Sequence, residues 1–502
     1  MYVTSIDART GKALELAVED DSAETVRETV LLARAAMPWL ADLGASGRAE
    51  LLDSLATALE SRAADIVDVG DRETALGETR LRAELARTCF QLRFAGQVAV
   101  DGGYLGLSID HVGSNAAGPI PDLRRTSVPI GVVAVFGASN LPLALSTPGS
   151  DTASALAAGC SVIVKAHGSH PHLTLLICDI FAETLRANAA PAGVFQVLFG
   201  YENGATLVRD PDVAAVGFTG SVAGGRALFD LASSRPDPIP FYGELGSLNP
   251  LVITPAAAAA RAHQIGTGLA KSMTAVSGQL CTKPGLFFIP TGPPGDTLVG
   301  ALVEGLHEIP HTHLLSSGIR DAFIAGTEAA LSAPAVTPLF APAINGKAVT
   351  PLLIAVDIDD LTQGTAVTDE HFGPFGVVVR YSKLSDVASA LACLPPALTG
   401  TLHHASPWDA DLMSMSRLLE ARSGRIVFND FPTGLAVAWS MHHGGQYPSS
   451  TTTSTSVGAG ALNRWVRPIV FQNAPQEVLP SELRDGASAF PRRVDGVVTT
   501  AG

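Results

Sequence analysis

The chain has 502 residues, with 33 Lys and Arg against 48 Asp and Glu, a formal net charge of −15, and 47% apolar, 16% charged and 6% aromatic residues. That much apolar material excludes disorder as the dominant state, and at about 100–200 residues per domain the length implies two or three domains. The acidic balance repels phosphate backbones and anionic lipid heads, so neither nucleic acid nor a membrane surface is an expected partner.

The stretch up to Asp21 is broken by charges and has no apolar core, unlike a secretory or transit peptide, so a cytoplasmic location is expected. From Ser22 to about Val100 apolar residues recur at helical spacing, as in TVRETVLLARAAMPWLADL, which predicts a helical opening layer. A polar, glycine-rich stretch then leads into RRTSVPIGVVAVFGASN, whose β-branched run between Pro129 and Gly137 predicts a buried strand. After it helix-like and strand-like pieces alternate: DTASALAAG, SVIVKAH, HLTLLICDIFAETLRAN, GVFQVLFG, YENGATLVRD, VAAVGFTGS and VAGGRALFDLASS. Such alternation implies βαβ units and a parallel sheet covered on both faces. The segment PDPIPFYGELGSLNP, dense in Pro and Gly, marks a domain boundary, and a second α/β stretch runs from about Leu251 to Gly434. The tail from His442 carries a Ser/Thr run, read as a flexible linker, and one strand pattern, WVRPIVF.

The cysteines, Cys89, Cys160, Cys178, Cys281 and Cys393, are scattered without a C-x-x-C pair, which fits a reducing compartment and neither a disulfide framework nor a zinc site. Cys281, in SGQLCTKPG, is flanked by small and polar residues. A loop cysteine is either an inert thiol or one desolvated, oriented and ionised by neighbouring dipoles into a nucleophile. Glu244, in FYGELGS, is either a paired structural carboxylate or a base whose pKa burial raises toward neutrality. Asn140 follows the first buried strand at its carboxyl end, where ligands of open α/β sheets collect; its amide either caps a turn or donates to an oxyanion. The cluster GFTGSVAGG, Gly217 to Gly225, either makes a tight turn or offers backbone N–H groups and a positive dipole end to a pyrophosphate.

In combination these segments resemble the aldehyde dehydrogenase superfamily over essentially the whole chain. PIGVVAVFGASNL (Pro129 to Leu141), GFTGS (217–221), E-L-G (244–246), G-Q-x-C ending at Cys281, and E-x-F-G-P (Glu370 to Pro374) stand in the family's order. The wording of GASNLPLALS, DTASALAAGC, VIVKAHGSHP and CTKPG is similar to one bacterial branch, the 2,5-dioxovalerate (α-ketoglutaric semialdehyde) dehydrogenases and NADP-dependent fatty aldehyde dehydrogenases. The resemblance implies an α/β fold with a Rossmann-like cofactor domain, an α/β catalytic domain and a small oligomerisation element. Residues 1–109 and 128–250 would form the first and 251–445 the second. Residues 110–127 and 446–502 would form the oligomerisation element and C-terminal tail of a homodimer or homotetramer.

The resemblance also implies roles. Cys281 corresponds to the nucleophile, Asn140 to the oxyanion donor, and Glu244 to the base that hydrolyses the thioester, which argues against a CoA-acylating enzyme. Phe136, Ala138, Ser139, Lys165, His167, Gly168, Phe218, Thr219, Gly220, Ser221, Leu245, Gly246, Glu370 and Phe372 correspond to cofactor positions. The common NAD-using pattern has a glutamate three residues after the lysine; here that position is Gly168. Without that carboxylate, and with Lys165, His167 and His170 as cationic or donor groups, NADP is the expected cofactor and NAD the alternative. No metal is expected. The implied reaction is oxidation of a small-molecule aldehyde, 2,5-dioxovalerate, to 2-oxoglutarate, with a broad-range aliphatic aldehyde dehydrogenase as the alternative. A non-catalytic scaffold of the same fold is a remote alternative, which loss of Cys281 or Glu244 would mark; both are present. Trp439, His442 and His443 are the expected substrate contacts, with Arg124 and Arg125 the nearest paired cations in sequence. The chain departs from the branch at Gln446, in HGGQYP, and at Asp430 before FPTG.

Overall fold

Four helices, Ala23–Asp42, Gly44–Ser61, Ala63–Thr74 and Glu78–Asp101, form the opening layer in the computed structural model, which describes residues 2–342, 347–409, 411–486 and 488–499. The Ser22 hydroxyl starts the first helix by accepting from the Thr25 backbone N–H. Leu40, Leu52, Leu55, Leu59 and Leu92 on these helices are buried in one core with the sheet they cover. A hairpin ahead of them, Tyr2–Ile6 with Ala13–Glu19, has no counterpart in the sequence reading; its charges alternate with half-buried residues, a weak strand signal.

The cofactor-type sheet has five parallel strands in the order Phe241–Glu244, Val213–Thr219, Val132–Phe136, Val162–Lys165 and Phe195–Leu198. Val132–Phe136 is central and buried at every residue, which accounts for its unbroken apolar run. In register, Phe136 stands opposite both Phe218 and Lys165, and Thr219 stands opposite Glu244. Asn140, Lys165, Thr219 and Glu244 therefore all leave the same carboxyl edge.

A second sheet begins at Leu251, with the order Thr337–Phe340, Leu352–Asp357, Phe375–Tyr381, Leu286–Pro290, Leu251–Ile253, Ala397–His403 and Ser423–Phe428. Its strands are parallel except for the first, an antiparallel edge. A third, small sheet pairs Val466–Gln472 antiparallel with Leu123–Pro129, and extends through Ser108–Asp110, Arg492–Val494 and Val497–Thr499.

The Ser/Thr run is not a flexible linker. Ser449, Ser450, Thr455 and Ser456 are buried, and the run lies along the strand Phe241–Glu244. The Thr451 hydroxyl accepts from the Gly243 N–H at 2.8 Å and donates to the Phe241 carbonyl at 2.7 Å, while the Leu245 N–H donates to the Ser449 carbonyl at 2.8 Å. Hydroxyls that solvate a free coil here satisfy the open main-chain edge of a strand instead. Among the described residues no helix is long and apolar enough to cross a membrane.

Candidate active site

Four separate stretches of chain, at Asn140, Glu244, Cys281 and His443, converge at the carboxyl edge of the five-stranded sheet. Asn140 is buried, and its Nδ2 donates to the Gln279 carbonyl at 2.8 Å, which ties it to the loop of Cys281. The loop bearing Asn140 is shaped from the helical layer: Glu84, on Glu78–Asp101, accepts from the Leu143 and Ala144 N–H groups at 2.9 and 3.0 Å.

Cys281 follows the long helix Pro255–Thr274 through a turn in which Val276, Ser277 and Gly278 all have positive φ, at 52°, 56° and 69°. A Cβ on Gly278 would lie 2.2 Å from the Gly373 carbonyl oxygen, so that position admits only glycine. Left-handed backbone at a β-branched residue such as Val276 costs on the order of 1–3 kcal/mol and persists only where the surroundings impose it. Asn249 is part of that imposition: its Nδ2 donates to the carbonyls of Cys281 at 2.6 Å and Lys283 at 2.9 Å.

Glu244 ends its strand facing this loop. Its Oε1 lies 2.7 Å from Nε2 of His443, its Oε2 accepts from the Ser456 hydroxyl at 3.0 Å, and the same His443 Nε2 lies 3.5 Å from the Cys281 Sγ. His443 is held by its own backbone N–H, which donates to Thr455 Oγ1 at 2.8 Å. Sulfur, imidazole nitrogen and carboxylate oxygen all fall within 4.8 Å of one another.

The electrostatics correct two sequence expectations. Burial does work to raise the Glu244 carboxyl, but the His443 ring beside it, with hydrogen bonds from His443, Cys281 and Ser456, holds it below its ordinary value. Burial pushes the Cys281 thiol well above the ordinary thiol range, and the Glu244 charge adds to that shift. The resting pair is thus a neutral thiol beside an ionised carboxylate, rather than a thiolate beside a near-neutral acid. His443, expected at the substrate, is buried between Glu244 and Cys281, 3.5 Å from the sulfur.

A half-buried sulfur, a carboxylate able to take its proton and a side-chain amide donor are the parts needed for addition to a carbonyl. A model of the aldehyde dehydrogenase family matches residues 3–318. The chain belongs to the aldehyde dehydrogenase family. It is 41% identical over 468 residues to alpha-ketoglutaric semialdehyde dehydrogenase 2 of Azospirillum brasilense, covering 89% of this chain and 88% of that one. It is 37% identical over 460 residues to the alpha-ketoglutaric semialdehyde dehydrogenase of Acinetobacter baylyi, covering 90% and 87%. Among solved structures, 3,6-anhydro-L-galactose dehydrogenase shares the fold with a TM-score of 0.81 at 20% identity, covering 94% of this chain and 96% of that one.

As an aldehyde dehydrogenase the protein oxidises an aldehyde with a nicotinamide nucleotide, and the residues at the sheet edge fit such a group. Ser221 caps the helix Val222–Ser233, accepting from the Gly224 N–H at 3.2 Å, and Gly220, Ser221 and Val222 are exposed, an open helix start suited to a pyrophosphate. Phe218 is buried against Phe136, with ring centres 6.2 Å apart. Gly246 leaves room for Glu370, whose Oε2 would lie 2.3 Å from any Cβ there. Burial raises the Glu370 carboxyl and Lys283 draws it back, while burial lowers the Lys283 ammonium and Glu370 draws it back up. The Lys283 Nζ donates to the Phe375 carbonyl at 2.8 Å. Phe372 is half-buried.

At the adenosine corner of this aldehyde dehydrogenase, Lys165 is partly exposed and a Cβ at Gly168 would meet open space. His167 and His170 stack with ring centres 5.4 Å apart, and burial pushes them down to about 3 and about 4, so they are neutral rather than cationic. At the other end, Trp439 is 53% exposed and stands edge-on to Phe94 at 5.4 Å, and His442 is half-buried. Arg124 and Arg125 are elsewhere: Arg124 is paired with Asp122 and Asp485 in the small sheet, and Arg125 donates to the Gly106 carbonyl. Gln446 donates to the Ala421 carbonyl at 3.0 Å, and Asp430 accepts from the Phe431 N–H at 2.8 Å. The sequence reading missed Ser456, Asn249 and Lys283. Asn249 and Lys283 stood within a few residues of E-L-G and Cys281, the one signal that pointed to them.

Proposed function

We propose that this aldehyde dehydrogenase oxidises 2,5-dioxovalerate to 2-oxoglutarate with NADP, and with NAD less efficiently. The observation that carries the chemistry is the convergence of Glu244 and His443 on the Cys281 sulfur, with Asn140 tied to the same loop through the Gln279 carbonyl. The substrate reading is supported by the two relatives named for α-ketoglutaric semialdehyde, each matched over most of its length.

Cys281 is the nucleophile. As its sulfur adds to the aldehyde carbon, the thiol proton passes to Glu244, its hydrogen-bond partner, and the His443 ring keeps negative charge favourable between them. Asn140 spends one amide hydrogen on the Gln279 carbonyl and has a second for the oxyanion of the thiohemiacetal. A nicotinamide held by Glu370 and Phe372 would supply the hydride acceptor for this carbon. Glu244 gives its proton to solvent and then deprotonates the water that hydrolyses the thioester, releasing the acid and the free thiol.

Thr219, Gly220 and Ser221 would hold the pyrophosphate, Glu370 the nicotinamide ribose, and Lys165 the adenosine end. The NADP preference rests on Lys165 and on the open, uncharged Gly168; Asp20, whose charge acts on Lys165, opposes it and keeps it small. Residues 1–109 and 128–250 serve the nucleotide and 251–445 the nucleophile. Residues 110–127 and 446–502 supply subunit contacts, for which the edge strands Val466–Gln472 and Val497–Thr499 offer unpaired main-chain groups in a homodimer or homotetramer.

The test is the initial rate of nucleotide reduction with 2,5-dioxovalerate and with hexanal at matched concentrations. A kcat/KM at least about a hundredfold higher for the dioxo acid, roughly 2.7 kcal/mol of discrimination, supports the reading; parity assigns the chain to broad aliphatic aldehydes.

A further inference from the structure

We propose that Arg87 and Arg425 form the seat for the far end of the substrate, the 2-oxo carboxylate. This rests on the dioxo acid reading above and adds the residues that give it specificity.

Four arginines among the described residues keep a buried side-chain nitrogen without a hydrogen-bond partner: Arg80, Arg87, Arg380 and Arg425. Arg80 faces Glu84 at 3.6 Å and Arg380 faces Asp296 at 2.7 Å. Arg87 and Arg425 have no carboxylate within ion-pair distance among the described residues. Other half-buried or buried guanidinium groups are settled differently: Arg124 and Arg464 have aspartates, and Arg235 spreads its donors over the carbonyls of Val208, Pro211 and Val213. Buried Arg48 also lacks a counter-ion but places its donors on the carbonyls of Ala157 and Leu40 and on Tyr104, whereas Arg87 and Arg425 each keep a buried Nε with no partner. Leaving a buried donor unpaired is costly, and a bound anion relieves it.

Both groups stand at one place. Arg87 lies on Glu78–Asp101 one turn beyond Glu84, the residue that shapes the Asn140 loop, and donates to the Leu435 carbonyl. Arg425 lies on Ser423–Phe428 and donates to the carbonyls of Gly434, at 3.0 Å, and Pro432. The two arginines thus grip the same short segment, 432–435, from opposite elements. Leu435 packs in one cluster with Ala138 and Leu141, on either side of Asn140. Negative charge that forms on the Cys281 sulfur acts on both guanidinium groups, as do Glu84 on Arg87 and Asp430 on Arg425.

A 2-oxo carboxylate is planar and offers oxygens in the spacing that a guanidinium fork matches. An aliphatic aldehyde offers nothing to either arginine. The seat therefore orients the dioxo acid with its aldehyde end at Cys281 and excludes chains that would strand the two cations.

The experiment compares kcat/KM for 2,5-dioxovalerate and hexanal in the wild type and in Arg87→Met, Arg425→Met and Arg425→Lys. The expected result is a selectivity ratio that drops by about a hundredfold in each Met variant, mainly through KM for the dioxo acid, and less in Arg425→Lys. In parallel, phenylglyoxal modification of the wild type is mapped with and without 2-oxoglutarate, a readout that needs no variant to fold; 2-oxoglutarate should protect Arg87 and Arg425 selectively. If the wild type itself prefers hexanal, the substrate reading fails and takes the seat with it. If the wild type prefers the dioxo acid, yet the variants keep that preference and 2-oxoglutarate protects neither arginine, the seat alone is overturned.

Discussion

Glu244 at the reaction centre and His170 at the adenosine corner are both buried, at 5% and 0% exposure, yet burial decides the charge of only one of them. Glu244 has His443 at 2.7 Å and Ser456 at 3.0 Å, and these partners outweigh its desolvation. His170 has a 3.4 Å contact to Thr174 and an unpartnered Nε2, so desolvation prevails and the ring is neutral. The difference teaches that charge in this molecule follows the nearest partner and not depth. It also separates the two ends of the nucleotide site, one built around an ionised carboxylate and the other around a single lysine.

The comparison breaks most sharply at Glu244. Glu244→Gln should lower steady-state turnover by about a thousandfold, the scale of a lost general base. The same substitution removes the negative neighbour that raises Cys281, so iodoacetamide should alkylate the thiol at lower pH than in the wild type. A profile that stays put or moves upward would contradict the coupling of the two groups. His443→Gln comes next, with kcat down by about a hundredfold. Its sign is definite: burial, which raises the Glu244 carboxyl, loses its main opponent, so the carboxyl protonates at higher pH and the acid limb of kcat moves up. Equal acid limbs in variant and wild type would show that His443 only fills space.

The alternation of helix and strand from Pro129 to Ser234 was readable in the sequence because strands such as Val132–Phe136 are buried throughout, while helices such as Pro171–Ala187 bury one face at helical spacing. Asn140, Glu244 and Cys281 were readable too, because each stands in a local motif. The pairing of His443 with Glu244 was not readable, because 199 residues separate the two and no local pattern encodes such a contact. The Ser/Thr run misled for a related reason: hydroxyls suit water and a main-chain edge equally, and only the strand Phe241–Glu244 decides between them. Arg87 and Arg425 carry no signal at all, since what distinguishes them is the lack of a partner.

Lys283 tests whether the nicotinamide end follows the same rule. It is the cation that draws the Glu370 carboxyl down against burial, so Lys283→Met should let that carboxyl rise further. Glu370 then loses its charge at higher pH, and KM for the nucleotide should begin its acid-side increase nearer neutrality, by about tenfold at pH 7, or roughly 1.4 kcal/mol. With kcat at saturating nucleotide read alongside, a structural role for Lys283 would lower kcat at every pH, whereas a positioning role moves the KM profile.

The smallest effects belong to the adenosine corner, where the comparison is sharpened by a change that should do little. If Lys165 is the only cation there, Lys165→Met should cut kcat/KM for NADP by about tenfold and for NAD far less. His167→Asn, by contrast, should change the ratio of NADP to NAD efficiency by less than about twofold at pH 7 and above, because a ring pushed down to about 3 carries no charge to lose. Its stacking with His170 makes packing the one thing the substitution disturbs, and packing acts alike on both nucleotides. A larger loss confined to NADP would mean that the 2′-phosphate recharges the imidazole on binding. Buried His170 and half-buried His167, which have no carboxylate partner, would then have found in the nucleotide the partner that Glu244 already has in His443.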